Sequence, residues 1–99
     1  MSQVKKSKKE LVSEIEFFPI IPKEGLVCFV SFTFQNIFRI NDCAILTRPS
    51  GGYRLSYPIK KLANNKTIQC VYPIDKKLAE KIENLVLINY EDFLLKNIK

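Results

Sequence analysis

Apolar and polar residues alternate with a period of two along much of the first two thirds of the chain. In Leu26–Phe34 the residues at positions 30, 32 and 34 are apolar, whereas Ser31 and Thr33 between them are polar. Tyr53–Tyr57 alternates in the same way. Because successive side chains of an extended backbone point to opposite faces, this pattern predicts half-buried β-strands.

Three more runs rich in β-branched and aromatic residues are predicted as strands: Ile15–Ile21, Ile37–Leu46 and Thr67–Tyr72. Pro19 lies inside the first run and has no backbone N–H, which indicates an edge strand or a bulge. Gln35-Asn36 is predicted as a tight turn, and Pro49-Ser50-Gly51-Gly52 as the turn of a hairpin. Residues 60–66 are polar and basic, and we expect them to form a loop.

The period changes at Asp75, which is a suitable N-cap residue. Apolar residues then recur at helical spacing, at Leu78, Ile82, Leu85, Val86 and Phe93. We therefore predict one helix from about residue 76 to the mid-nineties. Together the elements indicate an α+β fold, in which a small antiparallel sheet of about five strands is followed by one long C-terminal helix. The apolar stripe broadens near Ile88 and Tyr90, which favours a dimer, although core burial alone would also explain it.

Charge is distributed unevenly along the chain. A length of 99 residues allows one domain, and a net charge of +6 points to a polyanionic partner. Residues 1–9 contain four lysines and no acid, and we predict a disordered basic tail there because so few apolar residues cannot form a core. Residues 10–99 are predicted to form a single domain. Within it, residues 25–74 contain six basic residues and Asp42 as their one acid.

Missing residue types exclude several function classes. The chain has no histidine, the commonest general base and metal ligand. Cys28, Cys43 and Cys70 form no C-x-x-C pair, so we expect three buried, reduced thiols and no metal or other cofactor. Asp42 beside Cys43 has no neighbouring base in the sequence, and we do not expect an enzyme. The apolar runs are too short to span a bilayer, which favours a cytoplasmic protein without a membrane partner.

A series of motifs extends from Phe38 to Tyr90. They are Ile40-Asn41-Asp42-Cys43-Ala44-Ile45, Gly51-Gly52, Tyr53-Arg54-Leu55-Ser56-Tyr57-Pro58, Lys60-Lys61, Tyr72-Pro73-Ile74, and the helical Ile82, Val86 and Tyr90. In order and in the spacing between the two prolines, this stretch resembles the SpoVG (stage V sporulation protein G, or septation protein) family of bacteria. Tyr72 stands where that family usually has histidine, and the glycine turn is one residue longer. The lysine-rich N-terminal tail and the residues after Tyr90 fall outside the resemblance.

The resemblance implies a small cytoplasmic regulator that binds DNA, in some members also RNA, and works as a homodimer. In the family, basic residues after the first proline and in the following helix are implicated in nucleic-acid binding. By position these residues correspond to Lys60 and Lys61, with Lys76, Lys77 and Lys81 as further candidates.

The basic and aromatic residues also allow an interpretation on their own. Lys60, Lys61 and Lys66 lie within seven positions that contain no acid, which suits phosphate contact, although a solvated loop would look the same. Arg39 and Arg54 are predicted to face away from the apolar side of their strands, where they either widen the basic surface or serve as ordinary surface residues. Three tyrosines near this region favour core packing over base stacking: Tyr53, Tyr57 and Tyr72.

A second interpretation belongs to another function class. The chain would then be a non-enzymatic interaction module that pairs with another protein through a strand edge or a helix face. Its positive charge would serve solubility alone. The two interpretations differ in one measurable property, because phosphate contact makes binding to nucleic acid fall steeply with salt.

Overall fold

Six strands and one helix follow one another along residues 10–97, the part of the chain that the computed structural model describes. The elements are β1 (Val12–Lys23), β2 (Leu26–Phe34), β3 (Phe38–Thr47), β4 (Tyr53–Ser56), β5 (Ile59–Lys61), β6 (Thr67–Gln69) and α1 (Lys76–Lys96). The predicted α+β class is confirmed. The tail predicted for residues 1–9 lies outside the described residues.

The first four strands form one antiparallel sheet in chain order, with β1 and β4 at its edges. The edge position of β1 confirms the expectation from Pro19, and its pairing with β2 is irregular between Pro19 and Lys23. Gln35 and Asn36 both have positive φ, 50° and 60°, and the Ile37 N–H donates to the Phe34 carbonyl at 2.9 Å. This two-residue turn matches the twist of the strands that it joins.

One face of the sheet packs on α1 and forms the core. The buried hydrophobic side chains come from the two central strands and from the helix: Cys28, Val30, Phe32, Cys43, Ile45, Ile82, Val86 and Tyr90. Tyr90 contacts Phe17 of β1 and Tyr53 of β4, with ring centroids 5.5 and 5.1 Å apart. The predicted helix is confirmed, but Leu85 is exposed and Tyr90 takes the buried position one turn after Val86.

A β-bulge shifts the alternation of β3. Phe32 pairs with Ile40 and Val30 pairs with Cys43, so Asn41 and Asp42 together lie opposite Ser31. Asp42 has a φ of 62°, in the left-handed region that accommodates the extra residue. The inward-facing positions therefore change from even-numbered Ile40 before the bulge to odd-numbered Cys43 and Ile45 after it.

Residues 59–69 form a separate two-stranded arm, which we call the β5–β6 arm. Its strands pair antiparallel, and the Leu62 N–H donates to the Lys66 carbonyl at 2.7 Å across the turn. The prediction of a loop over residues 60–66 is therefore wrong for its first residues, which belong to β5. The predicted small antiparallel sheet consists of four strands, with this arm as a short second sheet, and every residue of the arm is exposed.

The helix begins and ends with side-chain or backbone caps. The Asp75 carboxylate accepts the Leu78 N–H at 3.0 Å, which confirms the predicted N-cap. The Asn97 backbone N–H donates to carbonyls of the last turn. Among the described residues, no helix combines the length and the apolar character needed to cross a membrane.

The three cysteines differ in their surroundings. Cys28 and Cys43 are buried, as expected, but Cys70 is exposed just after β6, so the prediction for this residue is wrong. Burial, and to a smaller extent the charge of Asp42, raises the pKa of the Cys43 thiol to about 12. A thiol with a raised pKa in the folded protein favours folding below its ordinary pKa, and that contribution is lost as the pH rises towards 12.

Thiol labelling should separate these cysteines. With a maleimide at pH 8, we expect one equivalent to react quickly, at Cys70, and two only after denaturation, because the buried thiols are neither accessible nor ionised. In Cys70→Ser the fast phase should disappear. Fast labelling of two or three thiols in the native protein would contradict the burial of Cys28 and Cys43.

Two isoleucines provide a matched test of the core. Ile45 is fully buried under the helix, whereas Ile21 on β1 is 88% exposed. We expect Ile45→Ala to lower the free energy of unfolding by about 2–5 kcal/mol, because it removes buried methyl groups and leaves a cavity. Ile21→Ala should change it by no more than about 0.5 kcal/mol. Urea denaturation measures both, and equal effects would contradict this core.

Candidate nucleic-acid interface

The structure brings three of the predicted lysines together on the β5–β6 arm. Lys60 and Lys61 belong to β5, and Lys66 directly precedes β6. Lys61 pairs with Thr67, so Lys61 and Lys66 lie on either side of the same turn. All three side chains are exposed. The three charges are thus concentrated on one small hairpin.

The geometry of the arm distributes these charges over both of its faces. Neighbouring residues of a strand point to opposite faces, so Lys60 and Lys61 project on opposite sides of the ribbon. At the turn, Asn65 has a φ of 67°, and the Lys66 N–H donates to the Asn64 side chain at 3.1 Å. A ribbon of this kind presents ammonium groups, which bind phosphate as point charges, in more than one direction.

A second group of lysines lies at the start of α1. Lys76, Lys77 and Lys81 are exposed, and the first turn contains no acidic side chain. The positive end of the helix dipole disfavours cations at this position. The Asp75 N-cap and Lys96 in the last turn have the favourable signs. Lys76 and Lys77 therefore oppose the helix dipole locally, at the first turn.

Arg39 makes its contacts within the sheet. Its guanidinium donates to the Glu14 carbonyl and to the Glu16 carboxylate, both at 2.6 Å, and to the Thr33 hydroxyl at 3.1 Å. These bonds tie β3 to β2 and to the irregular part of β1. Arg39 therefore serves as a cross-strand contact within the sheet.

Arg54 differs from Arg39 because its side chain is exposed on β4. Its neighbour Leu55 packs against the core, so Arg54 projects from the face of the sheet that α1 does not cover. Like the lysines, it stays a predicted binding residue.

Sequence reasoning missed the contacts of Glu83, which attach the helix to β4 and to the turn before it. The Glu83 carboxylate accepts the Leu55 backbone N–H at 2.9 Å and lies 3.5 Å from the Arg48 guanidinium. Arg48 also donates to the Tyr53 carbonyl at 2.9 Å. Glu83 thus occupies part of the free edge of β4 and fixes the first half of α1 relative to the sheet.

The three tyrosines do not share one environment. Tyr53 and Tyr57 are half-buried against the core, as predicted, but Tyr72 is 52% exposed, so core packing was the wrong expectation for it. The Tyr57 hydroxyl is buried without a hydrogen-bond partner. Burial, followed by the charges of Cys43 and Glu83, raises the pKa of this hydroxyl above its ordinary value.

An apolar groove of about 470 Å³ lies between the first half of β3 and the segment that leads into α1. Its lining includes Phe38, Ile40, Tyr57, Tyr72, Ile74 and Leu78. Sequence reasoning missed this groove, because a run such as Val71–Ile74 looks the same whether it is buried or exposed. Within residues 10–97, no three Cys, Asp or Glu side chains are arranged to hold a metal ion.

Comparison with known proteins agrees with the order of motifs. The SpoVG family model matches residues 11–92, which is most of the chain. A SpoVG protein of Bdellovibrio bacteriovorus is 28% identical over 80 residues, which cover 81% of this chain and 72% of the relative. SpoVG proteins of Clostridioides difficile and Treponema denticola are 26% and 25% identical, over 76% and 81% of this chain and 82% and 85% of theirs. The names of all three associate them with septation.

Charge reversal at the two ends of α1 should have opposite effects on stability. We expect Lys77→Glu to raise the free energy of unfolding by about 0.3–1 kcal/mol, because it places an anion at the positive end of the helix dipole. Lys96→Glu should lower it, because it removes the 3.2 Å pair with Asp92 and places an anion at the negative end. Thermal or urea unfolding measures both changes, and a destabilised Lys77→Glu variant would contradict this account.

Proposed function

The chain belongs to the SpoVG family, and we propose that it is a cytoplasmic regulatory protein that binds nucleic acid, DNA or RNA, as a homodimer. The observation that carries the proposal is the concentration of exposed lysines between residues 60 and 81, where Asp75 and Glu80 are the two acids. The lysines are Lys60, Lys61, Lys66, Lys76, Lys77 and Lys81. The names of its relatives extend the proposal to a process connected with septation.

Phosphate contact is the mode of binding that these side chains favour. Lysine offers a mobile point charge, which neutralises phosphate and releases counterions but discriminates little between bases. Arginine is the better side chain for reading guanine edges. Of the two arginines considered, Arg39 is engaged within the sheet, and only Arg54 is exposed without such contacts among the described residues. We therefore propose binding that tolerates many sequences.

The lysines at the start of α1 support a role other than stability. Cations at this end of a helix cost free energy, so their presence favours a function that compensates for the cost. Phosphate binding is such a function, because the dipole and the lysine charges then act on the ligand in the same direction. The proposal is non-enzymatic, and the relatives are named for septation and not for a reaction.

The second candidate function is a protein-interaction module whose charge serves solubility alone. The observation that favours it is the number of large apolar side chains exposed around the arm and the groove. A soluble monomer seldom exposes such a patch unless a partner covers it. The two functions are compatible if the partner is a second copy of the chain.

A salt series tests the lysines of the arm. We expect binding to a short DNA duplex and to single-stranded RNA to weaken steeply as salt rises, with a linear log–log dependence. In Lys60→Ala/Lys61→Ala the slope on duplex DNA should become shallower by about 1.8, which corresponds to two lost phosphate contacts. Fluorescence anisotropy at several salt concentrations measures the slope.

The matched control is Lys23→Ala, which removes an exposed lysine at the end of β1. It lies outside the proposed surface, so its slope should equal that of the wild type. Absence of binding by the wild type at low salt would exclude this function and favour the interaction module. Equal slopes for all three proteins would exclude the arm as the site.

A further inference from the structure

The face of the sheet that α1 leaves uncovered has apolar side chains of its own. Neighbouring side chains of a strand point to opposite faces, so the neighbours of the inward-facing Phe17, Val30 and Ile45 point away from the helix. The large apolar residues of this face are half-buried or exposed and do not pack against the core: Phe18, Leu26, Phe29 and Leu46. Within residues 10–97, no helix lies on this face. A second apolar surface is therefore open to solvent.

Strand pairing arranges these residues in two rows that cross all four strands. Residues directly opposite each other in a sheet share one face. The first row consists of Phe18, Phe29, Ala44 and Ser56, and the second of Lys23, Leu26, Leu46 and Arg54. The first row therefore has aromatic rings on β1 and β2 and small side chains on β3 and β4. The second row has a cation at each edge of the sheet and two leucines between them.

Phe18 and Phe29 provide two aromatic rings on neighbouring strands, whose backbones are about 4.8 Å apart. Phe18 is 49% exposed, and Phe29 is half-buried. Among the described residues, neither ring stacks on another aromatic ring. Beside Phe29, Ala44 has only a methyl group, which leaves space over β3. The two rings are thus available to a flat ligand ring, which aromatic side chains bind by stacking.

Lys23 and Arg54 border the second row at the two edges of the sheet. Three strand spacings of about 4.8 Å separate their backbones, roughly 14 Å in all. Both residues are exposed, and among residues 10–97 neither forms an ion pair. Their charges are therefore available to neutralise phosphates on either side of the aromatic rings.

The acids of this face lie beyond the aromatic row and have partners within the sheet. The Arg39 guanidinium donates to the Glu16 carboxylate at 2.6 Å, and the Thr33 hydroxyl donates to the Glu14 carboxylate at 3.1 Å. Glu24 lies in the turn between β1 and β2, outside the strands. Among the strand residues, the two leucines are thus bordered by positive charge, whereas the acids are at the opposite end of the face.

We propose that this sheet face binds the unpaired bases of single-stranded nucleic acid, with bases stacked on Phe18 and Phe29 and phosphates at Lys23 and Arg54. The inference rests on the proposed function and adds a second site to it, specific for single strands. In a duplex the bases are paired and stacked on one another, so they do not reach aromatic rings on a sheet. Every base has a π-face, so stacking tolerates many sequences, as the lysines of the arm do.

Charge complementarity favours nucleic acid over a protein as the occupant of this face. A protein partner would bury the apolar residues as well, but lysine is depleted in protein interfaces. A phosphate chain that crosses the sheet along the second row meets a cation at each edge, and its bases lie over the apolar residues between them. A protein partner is accordingly an outcome of the test that contradicts the proposal.

Fluorescence anisotropy with labelled thymidine and uridine oligonucleotides of about 12 nucleotides tests the face. Phe18→Leu keeps an apolar side chain but removes the ring, and we expect it to raise the dissociation constant at least about fivefold through the loss of one stacked base. Phe18→Tyr keeps the ring and should keep the affinity. On duplex DNA both variants should equal the wild type. Binding of either oligonucleotide supports the site, and the tighter one identifies whether it takes DNA or RNA.

Lys23→Ala gives an electrostatic readout of the same face. On the single strands, its salt slope should be shallower than that of the wild type by about 0.7, which corresponds to one lost phosphate contact. On duplex DNA its slope should be unchanged, because the proposed duplex contacts are on the arm. Wild-type slopes on both ligands would overturn the phosphate contact of Lys23.

The matched control is Ile88→Ala, which removes a 62% exposed isoleucine on α1, away from this face. It should leave the affinities for single strands and duplex unchanged, and circular dichroism verifies that all variants stay folded. Wild-type affinity of Phe18→Leu for the single strands overturns the inference. An equal loss on single strands and duplex overturns it too, because the ring then acts through the fold or through another site.

The inference and the proposed function fail in different ways. Salt-dependent binding to duplex DNA without binding to the oligonucleotides overturns the inference, preserves the function and leaves the sheet face to a protein partner. Binding to the oligonucleotides that depends on Phe18 but not on Lys60 and Lys61 preserves the sheet-face site and overturns the arm. Absence of binding to either ligand at low salt overturns both.

Discussion

The packing of one helix against one face of a four-stranded sheet is the contact on which the rest of the structure depends. Cys28, Val30 and Phe32 of β2 lie beneath α1, and Tyr90 contacts aromatic rings of both edge strands. Residues 10–97 contain no second helix that could cover another surface. The residues between β4 and α1 cross outside this core, which is why their apolar side chains are exposed.

The same constraint explains where charge can accumulate. Lysines on β5, directly before β6 and in the first turns of α1 lie outside the helix–sheet contact, so they cost little core stability, although those in the first helical turn oppose the dipole. Glu83 limits this freedom, because its bonds to Leu55 and Arg48 hold the basic end of the helix against β4. The lysines of α1 are therefore held in a fixed position relative to the sheet. The lysines of the β5–β6 arm have fewer contacts that fix them.

Local signals in the sequence were sufficient for the four strands of the main sheet, the turns and the helix, but not for β5. Gln35-Asn36 and Asp75 specify a tight turn and an N-cap through their own backbone and side-chain chemistry, and the structure contains both. The bulge at Asp42 was not predictable, because it follows from pairing with β2 and from no preference of the residue alone. Burial was equally unpredictable for Cys70 and Tyr72, since an apolar run gives no information about whether a partner surface exists within the chain.

For the candidate site, the sequence identified the lysines but not the geometry that relates them. The segment of Lys60, Lys61 and Lys66, predicted as a loop, is a hairpin. A loop can reach phosphates by bending, whereas an isolated hairpin is only marginally stable and must be held in place. The apolar side chains of this arm are exposed, and no other element of residues 10–97 covers them. In the proposed homodimer, a second copy that covered these side chains would also fix the lysines beside them, and phosphate binding and self-association would be coupled.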